Sequence, residues 1–140
     1  MHCVFSTHNR EKRLTEDVRN RLWPYIGGIA RENKMTALAV GGVEDHVHTL
    51  LSIPATMSVS KAIQLIKGGS SKWINSELRL SRRFEWQERY GAFSLSVSAV
   101  SETLKYINGQ VEHHRRETFK EEFERFLERH NMIIDNNTWS

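Results

Sequence analysis

One cysteine, two prolines and no long apolar run define what this 140-residue chain does without. A single thiol, Cys3, excludes an internal disulfide framework and the cysteine-rich zinc motifs. No stretch approaches the ~18 consecutive apolar residues of a membrane span. The opening Met1-His2-Cys3-Val4-Phe5 is too short and too polar for a secretory leader. Together these absences point to the cytoplasm and away from the membrane. Charge of one sign is scarce as well. A formal net charge of +3 permits a nucleic-acid partner without demanding one. No internal repeat, low-complexity tract or linker divides the sequence. One domain over residues 1–140 with a core of ordinary size is expected, and 39% hydrophobic with 26% charged residues suits a globular chain.

What is present is periodicity. Residues 2–7 read as a strand and 9–12 as a polar turn. Residues 15–33 read as a helix capped by Thr15, with Val18, Leu22, Ile26 and Ile29 on one face and a kink expected at Pro24 and Gly27-Gly28. Residues 35–43 and 45–53 read as paired strands, with Gly41-Gly42 marking a bend or close approach and Pro54 ending the second. Ser58 caps a helix to about residue 80, with an interruption expected at Gly68-Gly69. Residues 92–97 alternate as a fourth strand through Phe93, Leu95 and Val97. A third helix starts at Ser98 or Ser101, a fourth covers about 119–130, and 131–140 form a polar tail. The order βαββαβ plus two helices predicts an α+β, ferredoxin-like antiparallel sheet with helices on one face and C-terminal helices beyond it. The other face is then free for a ligand, nucleic acid or a partner subunit.

Within the third strand stands His46-Val47-His48. Residues i and i+2 of a strand share a face, roughly 7 Å apart at ~3.3 Å per residue. Two imidazoles so placed can converge on one metal ion. A lone strand histidine is usually a packed, hydrogen-bonded residue, so the pair needs a third ligand and a reactive group. The third helix offers both. Tyr106, Gln110, His113 and His114 stand at i, i+4, i+7 and i+8 on one helix face. His46, His48 and the Gln110 carbonyl oxygen would make a three-ligand N/O site with open positions, suited to Mg²⁺ or Mn²⁺. Tyr106, one turn away, would be a nucleophile able to form a phosphotyrosine intermediate. Two successive transesterifications conserve the bond energy, so a cut strand can be rejoined without ATP.

These segments, in this order, resemble the HUH-superfamily single-tyrosine, single-strand DNA transposases, whose relatives include the REP-associated tyrosine transposases. The similarity rests on Val4-Phe5-Ser6-Thr7, Asp45-His46-Val47-His48-Thr49-Leu50-Leu51, Lys67-Gly68-Gly69-Ser70-Ser71, Trp86-Gln87, Tyr90-Gly91-Ala92-Phe93-Ser94, Tyr106-Ile107 with Gln110, and His113-His114-Arg115. The resemblance implies a divalent metal on His46, His48 and Gln110, and Tyr106 as nucleophile. It implies a 5′-phosphotyrosyl product with a free 3′-hydroxyl, and single-stranded substrates with a hairpin near the cleavage site. It also implies a homodimer whose active sites can be composite, the tyrosine helix of one subunit serving the other.

Other residues carry lesser expectations. Asp45 would support a ligating imidazole only through a local bend. His113 and His114 would support the site or contact DNA. Arg10, Arg13, Lys67, Ser70, Ser71 and Lys72 would contact DNA. Cys3 would pack rather than react. Gly109 would loosen the tyrosine helix at roughly 1 kcal/mol relative to alanine. Two other functions fit parts of the pattern: a catalytically idle single-stranded nucleic-acid-binding module, and a metal-dependent phosphodiesterase using activated water.

Overall fold

Alternating apolar side chains and two capped amphipathic helices account for most of the architecture. The computed structural model describes residues 1–78, 80 and 82–109. Four strands form one sheet: β1 (His2–Ser6), β2 (Thr36–Gly42), β3 (His46–Ser52) and β4 (Gly91–Phe93). Their spatial order is β2-β3-β1-β4 and every pairing is antiparallel. Two helices join them, α1 (Glu16–Glu32) and α2 (Val59–Glu77), and a third, α3 (Val100–Asn108), follows β4. This is the expected βαββαβ ferredoxin-like order with the tyrosine on a helix beyond it. Among the described residues no helix is long and apolar enough to cross a membrane.

The caps of α1 and α2 are those the sequence offers, whereas α3, expected to start at Ser98 or Ser101, begins at Val100 with Ala99 as its cap and no side-chain bond there. The Thr15 hydroxyl accepts from the Val18 amide, and the Ser58 hydroxyl from the Lys61 amide. Val18, Leu22, Ile26 and Ile29 of α1 and Ala62, Ile63, Ile66 and Ile74 of α2 pack on Cys3, Phe5, Val47 and Leu51 of the sheet. Each large apolar side chain buried there contributes about 1.5–3 kcal/mol. Burial pushes the Cys3 thiol up to about 12, against the pull of the amino terminus and Thr49, so it is a packing residue.

Three expectations need correction. Gly68-Gly69 does not interrupt α2, which runs unbroken through it. Gly69 lies under Ile29 of α1, where a methyl group would stand 2.9 Å from Ile29 Cδ1, so this glycine serves close helix packing. The fourth strand ends at Phe93 rather than continuing to residue 97. The chain there enters a 3-10 turn at Val97–Ala99, and Leu95 packs against the α3 cluster instead. The second sheet face is not open at its centre. Ile107 of α3 packs on Ala39 and Leu50, and every residue of β1 is buried. The fourth helix and the polar tail lie outside the described residues.

Residues 82–90 adopt no regular structure, apart from a bridge between Trp86 and Thr7. Side chains from elsewhere hold them. Arg13 donates to the Arg82 and Arg83 carbonyls at 2.8 and 3.1 Å, and Asn75 bonds both the amide and the carbonyl of Phe84.

Candidate active site

Strand alternation sends His46, His48 and Leu50 to the α3 side of β3, and Val47 and Leu51 to the α1–α2 side. Both imidazoles are fully buried, with ring centroids 5.1 Å apart at 74°. His46 faces Ser6 across β1. His48 stands between Val4 of β1 and Gly41 of β2.

The bend required of Asp45 exists: the chain bends at residues 44–45, just before β3. The Thr7 amide donates to the Asp45 carbonyl at 2.9 Å and anchors it. Asp45 Oδ1 then lies 2.7 Å from His46 Nδ1. An ionised carboxylate only accepts, so Nδ1 is the donor, and in the neutral ring the lone pair resides on Nε2.

Tyr106 rides on α3. Its ring meets His48 edge-on, centroids 5.4 Å apart at 85°, and its hydroxyl oxygen is buried. The height of α3 is set by Gly41, where a methyl group would run into the Ile107 carbonyl oxygen and stand 3.0 Å from Ile107 Cγ2. The close approach expected at Gly41-Gly42 is therefore the seat of the tyrosine helix. α3 ends at Gly109, whose amide donates to the Lys105 carbonyl at 3.0 Å.

One member of this cluster escaped the sequence reading. His2 is buried on the same face, its Nε2 2.9 Å from His48 Nδ1 and its ring 6.3 Å from that of Tyr106. The available signal was register. Once Val4 is paired with His48, strand alternation puts His2 beside it. Among the described residues, His46 and His48 are side chains that could hold a metal here. Among the described residues no group of three His, Cys, Asp or Glu forms a metal site. Gln110, His113 and His114 lie outside the described residues.

The residues expected at DNA are scattered. Ser70 is fully buried; its hydroxyl donates to the Ile66 carbonyl at 2.6 Å and accepts from Trp86 Nε1 at 3.0 Å. It belongs to the packing of α2, because a polar group placed there needs internal partners. The Lys67 ammonium donates to the carbonyls of Gln87 and Glu88. Burial lowers it to about 8, opposed by Glu88. Arg13 is committed to residues 82–83 and lies over the Phe84 ring at 5.5 Å. Arg10, at φ 52°, Ser71 and Lys72 remain at least partly exposed. A groove of about 540 Å³ between α2 and residues 83–90 is lined by Lys67, Ser71, Trp86 and Tyr90, away from the histidines.

Comparison with known proteins gives a consistent set of likenesses. A family model for IS200-like transposases matches residues 1–110. The ISDra2 transposase TnpA of Deinococcus radiodurans is 23% identical over 114 residues, covering 78% of this chain and 81% of that protein. A crystal structure of a Deinococcus radiodurans protein assigned as a transposase superposes with a TM-score of 0.62 at 22% identity, over 78% of this chain and 88% of the other. A REP-associated tyrosine transposase bound to a REP hairpin superposes with a TM-score of 0.58 at 18% identity, over 80% and 66%. At such identities the structural likenesses speak for the fold.

Proposed function

This chain belongs to the IS200-like transposase family, and from that premise we propose that it cleaves and rejoins single-stranded DNA through a covalent bond to Tyr106. The observation that carries the proposal is the buried hydroxyl of Tyr106, on a ring set edge-on to His48 at 5.4 Å. In the first step the Tyr106 oxygen attacks a backbone phosphorus. The Tyr106 O–P bond forms and the P–O3′ bond breaks. The phenolic proton leaves Tyr106 as the bond forms, and in the net step a proton is gained by the departing oxygen, which becomes a 3′-hydroxyl. The 5′ end stays on Tyr106 as a phosphodiester. Rejoining is the reverse: a 3′-hydroxyl attacks the same phosphorus and Tyr106 departs.

The donor set fits a divalent ion. His46 and His48 are buried on one face, and His46 Nδ1 is engaged by the Asp45 carboxylate, which is how ligating histidines are usually held, while His48 Nδ1 lies 2.9 Å from His2 Nε2. His46 and His48 would hold Mg²⁺ or Mn²⁺, with Gln110 as a third ligand. When bound, such an ion polarises a phosphoryl oxygen and orients it for attack. Burial of the face by α3 excludes water, and this favours transfer to Tyr106 over hydrolysis. His113 and His114 would support the same helix face.

The substrate we propose is single-stranded DNA carrying a hairpin near the cleavage site, as one structural relative is bound to a REP hairpin. Arg10, Ser71 and Lys72 are the side chains proposed to meet its phosphates. A homodimer with composite sites completes the reading, and light scattering of the full chain should give the mass of two subunits.

The test is a denaturing gel. Protein, Mn²⁺ or Mg²⁺ and labelled single-stranded hairpin DNA from the flanks of the protein's own gene should give an adduct that survives denaturation, needs the metal and vanishes in Tyr106→Phe. Cleavage without an adduct would make the protein a phosphodiesterase. Binding without cleavage would make it an idle module.

A further inference from the structure

We propose that His2 is a positioning residue, one that selects the tautomer of His48 and thereby decides which nitrogen His48 presents to a metal. The proposal rests on the reading of His46 and His48 as ligands. It adds a residue that the histidine motif does not contain.

A neutral imidazole has one N–H and one lone pair, and the bond made by one nitrogen dictates the role of the other. His46 has this settled by Asp45, which only accepts. His48 meets another imidazole at its Nδ1. Its Nδ1 lies 2.9 Å from Nε2 of His2, with the rings 5.1 Å apart and inclined at 35°. Of the two polarities for this bond, one makes His48 a ligand. If His48 Nδ1–H donates to His2 Nε2, the lone pair of His48 sits on its Nε2. If His2 donates instead, His48 carries its proton on Nε2 and cannot ligate there.

Burial makes this choice consequential. His2 and His48 are 1% and 0% exposed, so bulk water cannot stand in for a lost partner. Phe93 and Tyr106 flank the His2 ring at 6.0 and 6.3 Å and restrict its rotation. His2 itself is held in β1 by pairing with Leu50 on one side and Phe93 on the other. A buried, doubly paired strand position is a costly place for an imidazole that merely fills space. It is a suitable place for one that must hold a nitrogen at a fixed point.

Two readouts on the full chain test the assignment. In the metal-free protein, long-range ¹H–¹⁵N spectra of the imidazoles should show His48 protonated on Nδ1, and His2→Phe should abolish that signature. Titration of free Mn²⁺ followed by electron paramagnetic resonance should show affinity falling about 10- to 100-fold in His2→Phe. His2→Gln, whose amide oxygen can accept from Nδ1–H, should restore most of it. Thermal melts separate this from a folding defect, and His2→Gln keeps the test usable if His2→Phe does not fold. A wild-type His48 protonated on Nε2, or a folded His2→Phe that binds Mn²⁺ like the wild type, would overturn the proposal. His46→Ala is the control for the underlying reading. If it binds Mn²⁺ unchanged, the ligand reading fails, whatever the tautomer of His48.

Discussion

In β1 and in β3 as far as Leu51, the two faces of the sheet are buried to the same degree by opposite means. Toward α1 and α2, β1 and β3 present Cys3, Phe5, Val47 and Leu51, and water is excluded by a continuous apolar cluster. Toward α3, the same strands present His2, Ser6, His46 and His48 around a small apolar patch of Ala39, Leu50 and Ile107. There water is kept out of a polar layer, and what stabilises that layer is pairing: Asp45 on His46, His2 on His48. One strand thus serves two purposes at alternate residues. Low exposure by itself does not separate the face that holds the fold from the face proposed to carry chemistry.

If this contrast holds, damage to one face should spare the function of the other. The largest effect is expected from Tyr106→Phe, which should remove the covalent DNA adduct entirely on a denaturing gel while costing about 1 kcal/mol in urea unfolding. An adduct of undiminished yield would remove Tyr106 from the chemistry. Phe5→Ala, on the apolar face against Trp86, should cost about 3–5 kcal/mol of stability. Adduct yield per folded molecule should stay at the wild-type level when assayed in the cold. Gly41→Ala should lift α3 from the sheet. Since a 1 Å misplacement can cost about 10²-fold in rate, single-turnover adduct formation should slow by that order, and the clash with the Ile107 carbonyl should also lower stability by about 1–3 kcal/mol in urea. The smallest effect belongs to Ser70→Ala, which strips Trp86 Nε1 of its acceptor within the apolar layer. It should cost about 1–3 kcal/mol and leave adduct formation untouched. A drop in DNA cleavage beyond that loss of folded protein would blur the two faces.

Much of this arrangement is legible in the sequence because it is local. Thr15 and Ser58 announce their helices, and the alternation of β1 and β3 announces their strands. His46 and His48 stand out because two imidazoles share a strand face, and Tyr106 because its helix stripe is polar. What sequence hides depends on register or on distant segments. His2 looks like the start of a strand until β1 is paired with β3. Gly68-Gly69 looks like a break until α1 lies over it. Lys67 and Ser70 look like surface groups until residues 86–88 come to meet them. Phe93, Leu95 and Val97 alternate as a strand should, yet the chain turns after Phe93 and uses Leu95 under α3.

The irregular segment 82–90 also bears on the order in which the protein assembles. Its holding contacts join residues as far apart in sequence as Asn9 and Gln87 or Arg13 and Arg83, separations of 78 and 70. Contacts of such length close late, because the loop entropy must be met before they give anything back. β4 begins directly after this segment, and Phe93 of β4 flanks His2. The expectation is that α1, α2 and their side of the sheet settle first. Pulse-labelled amide exchange would see it as protection of Ile26 and Ile66 ahead of Gln87, and simultaneous protection would contradict it. On that schedule the β1–β3 pairing sets the register of the histidines early, while Phe84 and Trp86, which close the apolar layer, and Phe93, which flanks His2, arrive last, so a chain leaving the ribosome would be inert toward DNA until folding is nearly complete.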